Sequence, residues 1–176
     1  MSSAVLPSGE QLLRREAQAR RHGSGIRAES LIGEWWLEQL WSRDGAEQPT
    51  SAALLRSLGA SLAIAGSKEN AGEIPNSSTA LTLRNRVRLG ALSLQFSGPG
   101  WLAGKRPLLR FRFERMAVLW GERELWHSTL PAPAEQRLPF FALIAGEQSG
   151  DQGWLSARGR GGGLALWRIR SSAIRG

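Results

Sequence analysis

Residues 80–89 read Ala-Leu-Thr-Leu-Arg-Asn-Arg-Val-Arg-Leu. Leu81, Leu83, Val87 and Leu89 fall on one side of a period of two. Thr82, Arg84, Arg86 and Arg88 fall on the other. That alternation marks an antiparallel strand with one face in a core and a basic face in water. It recurs after Gly90 in Leu92, Leu94 and Phe96, and again where Leu109, Phe111 and Phe113 alternate with Arg110, Arg112 and Glu114. Met116 to Trp120 predicts a further strand, with a turn at Gly121-Glu122-Arg123 and a new strand opening at Leu125-Trp126. Gly98-Pro99-Gly100 reads as a turn, and Pro131 and Pro133 break the pattern. Phe140 to Ile144 reads as a buried strand. Trp154 to Arg158 and Leu164 to Ile169 read as a hairpin around a glycine run. Short strands separated by glycine turns predict a mostly-β chain closed as an antiparallel barrel.

Before residue 60 the signals change to helix. Glu10 to His22 predicts a basic amphipathic helix, capped by Ser8 or Gly9, with Leu12, Leu13 and Ala17 on its apolar side. Gly23-Ser24-Gly25 ends it. Thr50 to Leu58 predicts a second short helix, with Thr50 or Ser51 as cap and Gly59 as stop. Leu62 to Ile64 predicts a strand, and the polar stretch from Gly66 to Ser78 a loop.

Leu31 to Trp41 obeys two rules at once. Leu31, Gly33, Trp35 and Leu37 alternate as in a strand, while Ile32, Trp36 and Leu40 are spaced by four as in a helix. A helical start that turns into a strand near Trp35 satisfies both. Arg43-Asp44-Gly45 then makes a turn.

Composition narrows the function classes. The 176-residue chain favours a single domain. It has no cysteine, which removes disulfides, thiolate metal sites and thiol catalysis. Its two histidines, His22 and His127, make a histidine-rich metal site a poor expectation, and no cofactor or metal is expected. His127 and Ser128 are neighbours on a strand and point to opposite faces, so they form no relay. The carboxylates lack metal-loop spacing, and the expectation is a protein that is not an enzyme. Arg158 to Gly163 lacks the final glycine of a dinucleotide fingerprint, because position 164 is leucine. No apolar run is long enough to span a bilayer and no secretory leader is read, so a cytoplasmic protein is expected.

The net charge is +8, concentrated in residues 80–176, which hold fifteen basic and six acidic side chains. Arg84, Arg86, Arg88, Arg110 and Arg112 form the expected basic surface, suited to an anionic membrane. A nucleic-acid barrel would place aromatics among those arginines for base stacking. Here Phe111 and Phe113 lie on the opposite face, so nucleic acid is not the expected partner. The sequence does not specify an oligomeric state.

A Gly-x-Trp phrase entering a first strand resembles the base of a lipocalin-like barrel, where an arginine of the last strand stacks on the indole. Leu31-Ile-Gly-Glu-Trp-Trp-Leu37 and Asn85 to Leu89, with Trp154-Leu155 and Arg158-Gly-Arg-Gly-Gly-Gly-Leu-Ala-Leu-Trp167 at the end, resemble the plastid lipid-associated protein family, or fibrillins, as in cyanobacteria. Two departures stand out. The tyrosine and aspartate cluster typical between the Trp-Leu and Arg-Gly phrases is missing, and residues 121–153 hold no family phrase. The resemblance implies a lipocalin-like antiparallel barrel with one or two short N-terminal helices, which binds a lipid, quinone or carotenoid-like molecule without catalysis. It also implies a photosynthetic cell and a place in the cytoplasm or at the thylakoid surface.

The expected layout is an N-terminal tail and helix over 1–30, a barrel domain over 31–170 and a tail over 171–176. Trp35, Leu83, Val87, Phe96, Phe111, Phe113 and Trp120 are expected to face an interior ligand. Gly33, Trp35, Trp154, Arg158, Gly159, Arg168 and Arg170 are expected to close the barrel, with Arg168 or Arg170 over Trp35. A basic barrel that scaffolds protein or binds nucleic acid is one alternative. A barrel like the bilin lyases is another, but it would turn its arginines inward.

Overall fold

The computed structural model describes residues 6–67, 80–149 and 152–169. Arg170, both terminal tails beyond these limits and most of the loop from Gly66 to Ser78 lie outside the described residues. The strands are β1 (Gly33–Trp41), β2 (Ser61–Gly66), β3 (Ala80–Leu89), β4 (Leu92–Ala103) and β5 (Leu108–Phe111), followed by β6 (Arg115–Trp120), β7 (Arg123–Thr129), β8 (Phe140–Ser149), β9 (Gln152–Gly159) and β10 (Leu164–Ile169). Eight of them close an antiparallel barrel in the ring order β1-β2-β3-β4-β5-β8-β9-β10. Among the described residues two α-helices accompany it, α1 (Gly9–His22) and α2 (Pro49–Ser57).

The remaining strands form an arm. β4 is long enough to serve two partners along one edge. Gly100–Ala103 pair with β5 inside the barrel wall, and Leu92–Ser97 pair with β6 beyond it. β7 hangs on the outer edge of β6. The change of partner occurs at Gly98, Pro99 and Gly100, which lie within one continuous strand and are not the expected turn. The glycine at 98 is required by close approach. A Cβ there would sit 1.9 Å from the carbonyl oxygen of Arg112, where the chain bends between β5 and β6.

β1 resolves the double pattern of residues 31–41. A 3-10 turn spans Glu29–Leu31 and the strand starts at Gly33, so the helical part ends earlier than expected. A bulge between Leu37 and Gln39 then shifts the alternation by one residue. Leu37 opposes Trp167 and Leu40 opposes Ala165, so both leucines join the interior despite their odd spacing.

The interior is a buried apolar cluster that includes Leu31, Trp35, Leu83, Leu109, Phe111, Leu143 and Leu155. A second cluster lies outside the barrel, where α1 covers Trp41, Ile144, Trp154, Leu164 and Leu166 through Leu12. Ser8 caps α1 in a reciprocal box with Gln11. α2 starts from Gln48 with Pro49 in its first turn, without the side-chain cap expected from Thr50 or Ser51.

The expected closure is corrected in part. Gly33 has φ +145°, a backbone that disfavours any side chain, and its place at the strand entry is as expected. Trp35 is buried at the end of the interior closed by the 3-10 turn, and its Nε1–H donates to the carbonyl of Leu31 at 2.8 Å. Arg168 does not cover it. The register sets Arg168 opposite Trp36 and Trp154, on the outer face. Trp154 and Arg158 also face outward, under α1, so they fasten the helix instead of plugging the barrel. The arginine over Trp154 is Arg15 of α1, 5.2 Å from the ring centroid.

Candidate ligand cavity

The end of the barrel opposite Trp35 is hollow. A cavity of about 350 Å³ lies between the last residues of β1, β3, β5 and β9, the first residues of β2, β8 and β10, and Leu55 of α2. Its size falls within the range of small-molecule sites. Of the expected ligand-facing residues, Val87, Phe111 and Phe113 line it. Leu83 and Trp35 belong to the solid half of the interior. Phe96 stands behind Phe113, with ring centroids 5.7 Å apart. Trp120 lies on the arm and is 59% exposed, so its placement in the interior is corrected. A strand read in isolation gives the parity of Trp120 but not the point where β6 leaves the barrel.

Leu40, Phe141 and Trp167 also line the cavity and were not anticipated. The bulge hides Leu40. Phe141 and Trp167 sit in the continuous apolar runs 140–145 and 164–167, which are covered on both faces and carry no alternation to mark the inner one. The aromatic rings form a connected wall. Phe111 lies 5.1 Å from Phe113 and 5.3 Å from Phe141, and Phe141 meets Trp167 edge-on at 5.3 Å. Gly159, expected at the barrel closure, lines the cavity instead.

No ionisable side chain lines the cavity among the described residues. Its polar groups include Asn85, which faces inward from β3 in register with Leu62 and Phe96. The Asn85 amide makes no hydrogen bond with any described residue. It can donate to a carbonyl or accept from a hydroxyl of a guest.

The arginines stand outside, as the alternation requires, but they are not one free stripe. Arg84 and Arg88 are exposed. Arg86 is mostly covered and reaches Gln95 at 3.1 Å and Glu122 at 3.7 Å. Arg110 is half-buried, and Arg112 pairs with Glu114. On the arm, His127 Nδ1 lies 2.7 Å from Glu124, which also accepts from Arg115 at 2.6 Å. These hydrogen bonds, that of Arg115 first, hold the exposed Glu124 carboxyl below its ordinary pKa.

A charged cluster unforeseen in the sequence fastens α1. Glu16 is buried and accepts from Arg158 through both oxygens, at 2.6 to 3.0 Å. Arg106 and Arg20 add hydrogen bonds of 2.8 and 3.0 Å. Burial alone would raise the Glu16 carboxyl. The hydrogen bonds and charges of Arg158 and Arg20 outweigh it and bring its pKa down to about 2.

No family model matches this sequence, and no curated protein or solved structure is significantly similar to it.

Proposed function

We propose that this barrel binds one small, uncharged hydrophobic molecule in its open end, without catalysis. The observation that carries the reading is the cavity itself: apolar, walled by aromatics and free of ionisable side chains among the described residues, with the Asn85 amide available for one polar atom. A quinone or an oxygenated carotenoid-like end group fits that chemistry. A carboxylate buried there would meet no cation, so a fatty acid would have to keep its headgroup at the mouth. A bilin carries propionates and fits poorly for the same reason. The phrases at Leu31–Leu37 and Trp154–Trp167 support a place among the plastid lipid-associated proteins, and with it a photosynthetic cell and a thylakoid surface.

The test is a titration of a short-chain quinone against the intrinsic tryptophan emission. Trp167 lines the cavity, so a bound quinone quenches it. Saturable quenching that is lost in the double variant Ala60→Phe, Ala165→Phe supports the reading, because both alanines line the cavity. Absence of saturable binding, or binding that survives the filled cavity, overturns it.

A further inference from the structure

The inner face of the barrel does not stop at the cavity mouth. Val87 lines the cavity, and the register carries its face onto the arm in rows. One row runs Val87, Leu94, Val118 and Trp126. The row at the tip runs Leu89, Leu92 and Trp120 and ends at Arg123. Between them lies a row on the opposite face, in which Arg88 pairs with Ser93. Inside the barrel the equivalent positions are covered by the far wall. On the arm no described residue covers them. Leu89 is 70% exposed, and Trp120, Leu125 and Trp126 are each at least half exposed. Leu54 of α2 is exposed as well, next to Leu55 of the cavity lining. Arg88 accounts for the closeness of the two elements, since its backbone N–H donates to the carbonyl of Leu58 just after α2.

We propose that the arm tip and the mouth beside it dock on an anionic lipid bilayer, and that the cavity takes up its guest from that surface. The inference rests on the proposed function and adds the place of uptake. Three observations select a bilayer as the occupant. The apolar side chains cluster on two adjacent hairpin ends, Leu89 to Leu92 and Trp120 to Arg123. These protrude, and a protruding tip suits insertion better than it suits a flat protein contact. Tryptophan and leucine lead, which matches the interfacial preference of indole. Arg88 and Arg123 stand beside the apolar tip, at the level where lipid phosphates would meet them; the two glutamates nearby, Glu122 and Glu124, are paired with Arg86 and Arg115, which leaves the exposed Arg84, Arg88 and Arg123 as excess positive charge. The continuous apolar face gives a hydrophobic molecule a path from the bilayer to the cavity that avoids water.

The experiment is sedimentation of the full chain with vesicles of phosphatidylcholine alone and of phosphatidylcholine mixed with phosphatidylglycerol. The wild-type chain is expected to bind the anionic vesicles, and to bind less as salt rises. Leu89→Ser with Trp120→Ser is expected to weaken that binding by at least about tenfold. The same variant is expected to bind a soluble short-chain quinone as the wild type does, which also shows that it is folded. Arg88→Gln with Arg123→Gln is expected to remove the preference for anionic vesicles. The cavity variant Ala60→Phe, Ala165→Phe is expected to keep vesicle binding and lose the quinone. Failure of the cavity reading therefore shows in the quinone titration, and failure of the docking proposal shows in the sedimentation. The proposal is overturned if the wild-type chain ignores both vesicles or if the Leu89, Trp120 variant binds them unchanged. It is also overturned if light scattering shows a dimer that this variant converts to monomer, which would make the tip a contact between copies of the chain.

Discussion

Replacing Glu16 by glutamine should unfasten α1 in a way that depends on pH. The wild-type carboxylate is 4% exposed at its side chain and holds Arg158, itself 13% exposed, and Arg106, 27% exposed. Glutamine keeps the shape but leaves those guanidiniums without a counter-charge. Removing one partner of a buried pair costs about 3–5 kcal/mol. The pKa gives an independent figure. A carboxyl lowered from 4.5 to about 2 contributes about 3 kcal/mol as an upper bound, and about 2 kcal/mol once solvent screening at the open cleft beside Arg20 is allowed for. The expected loss near neutral pH is therefore about 2–4 kcal/mol. The sign follows from the direction of the shift. The folded pKa lies below the unfolded one, so the contribution is complete above about pH 4.5 and fades as pH falls toward about 2. Urea unfolding of wild type and Glu16→Gln, followed from neutral pH down to about 3, should show two stabilities converging in acid. A double replacement, Glu16→Leu with Arg158→Met, should recover part of the loss, because an apolar pair needs no compensation. A Glu16→Gln loss under about 0.5 kcal/mol at neutral pH, or a gap that stays constant into acid, would refute the assignment of the cluster as the fastening of α1.

Trp35→Ala should cost about 3–5 kcal/mol of unfolding free energy, because a fully buried indole leaves a cavity at the closed end. Trp35→Phe should cost less, with about 1 kcal/mol of it from the lost hydrogen bond to Leu31. Gly98→Ala should destabilise by about 1–3 kcal/mol, since the new Cβ meets the Arg112 carbonyl, while Gly66→Ala enters open space and should be near neutral in the same denaturation series. Asn85→Leu should weaken a quinone by about fivefold and leave a pure hydrocarbon probe unaffected; equal effects on both, read by the same fluorescence titration, would remove Asn85 as the polar contact.

The barrel was legible because half-buried strands announce themselves locally. β3, the first half of β4 and β5 can each be read from their own alternation, with no knowledge of their partners. The errors came where a partner decides the local geometry. Gly98-Pro99-Gly100 has turn composition, yet β4 runs straight through it. The glycines answer to Arg112 on one side and Leu83 on the other, and neither contact is visible in the segment. The double pattern in β1 was a true signal of irregularity, but a bulge and a helical start leave similar traces over so few residues. The Glu16 cluster was invisible for another reason. Its members are separated by up to 142 positions, and nothing in α1 says that one of its charged residues faces inward.

The cavity shows where the sequence is ambiguous in principle. Small residues on the inner face carry two opposite meanings. At Gly100 a Cβ would fall 2.3 Å from a methyl of Leu83, so the glycine makes room for a side chain that already fills the space. At Gly159 the nearest atoms to such a Cβ are 3.9 and 4.0 Å away, and the space stays open. In register, Ala165 opposes Ala157, and Gly159 opposes Phe141 without filling the space beside its ring. The hollow thus lies where Ala60, Gly159 and Ala165 leave room between the large side chains Leu40, Phe111, Phe141 and Trp167. That arrangement is written across several strands and appears only once their registers are aligned. A change of register by one residue on β9 or β10 would turn the small inner residues outward and replace them with Leu164, Leu166 or Trp154. The cavity therefore depends on the same α1 contacts that cover those three side chains on the outside, and loosening α1 through Glu16 should weaken ligand binding as well as stability.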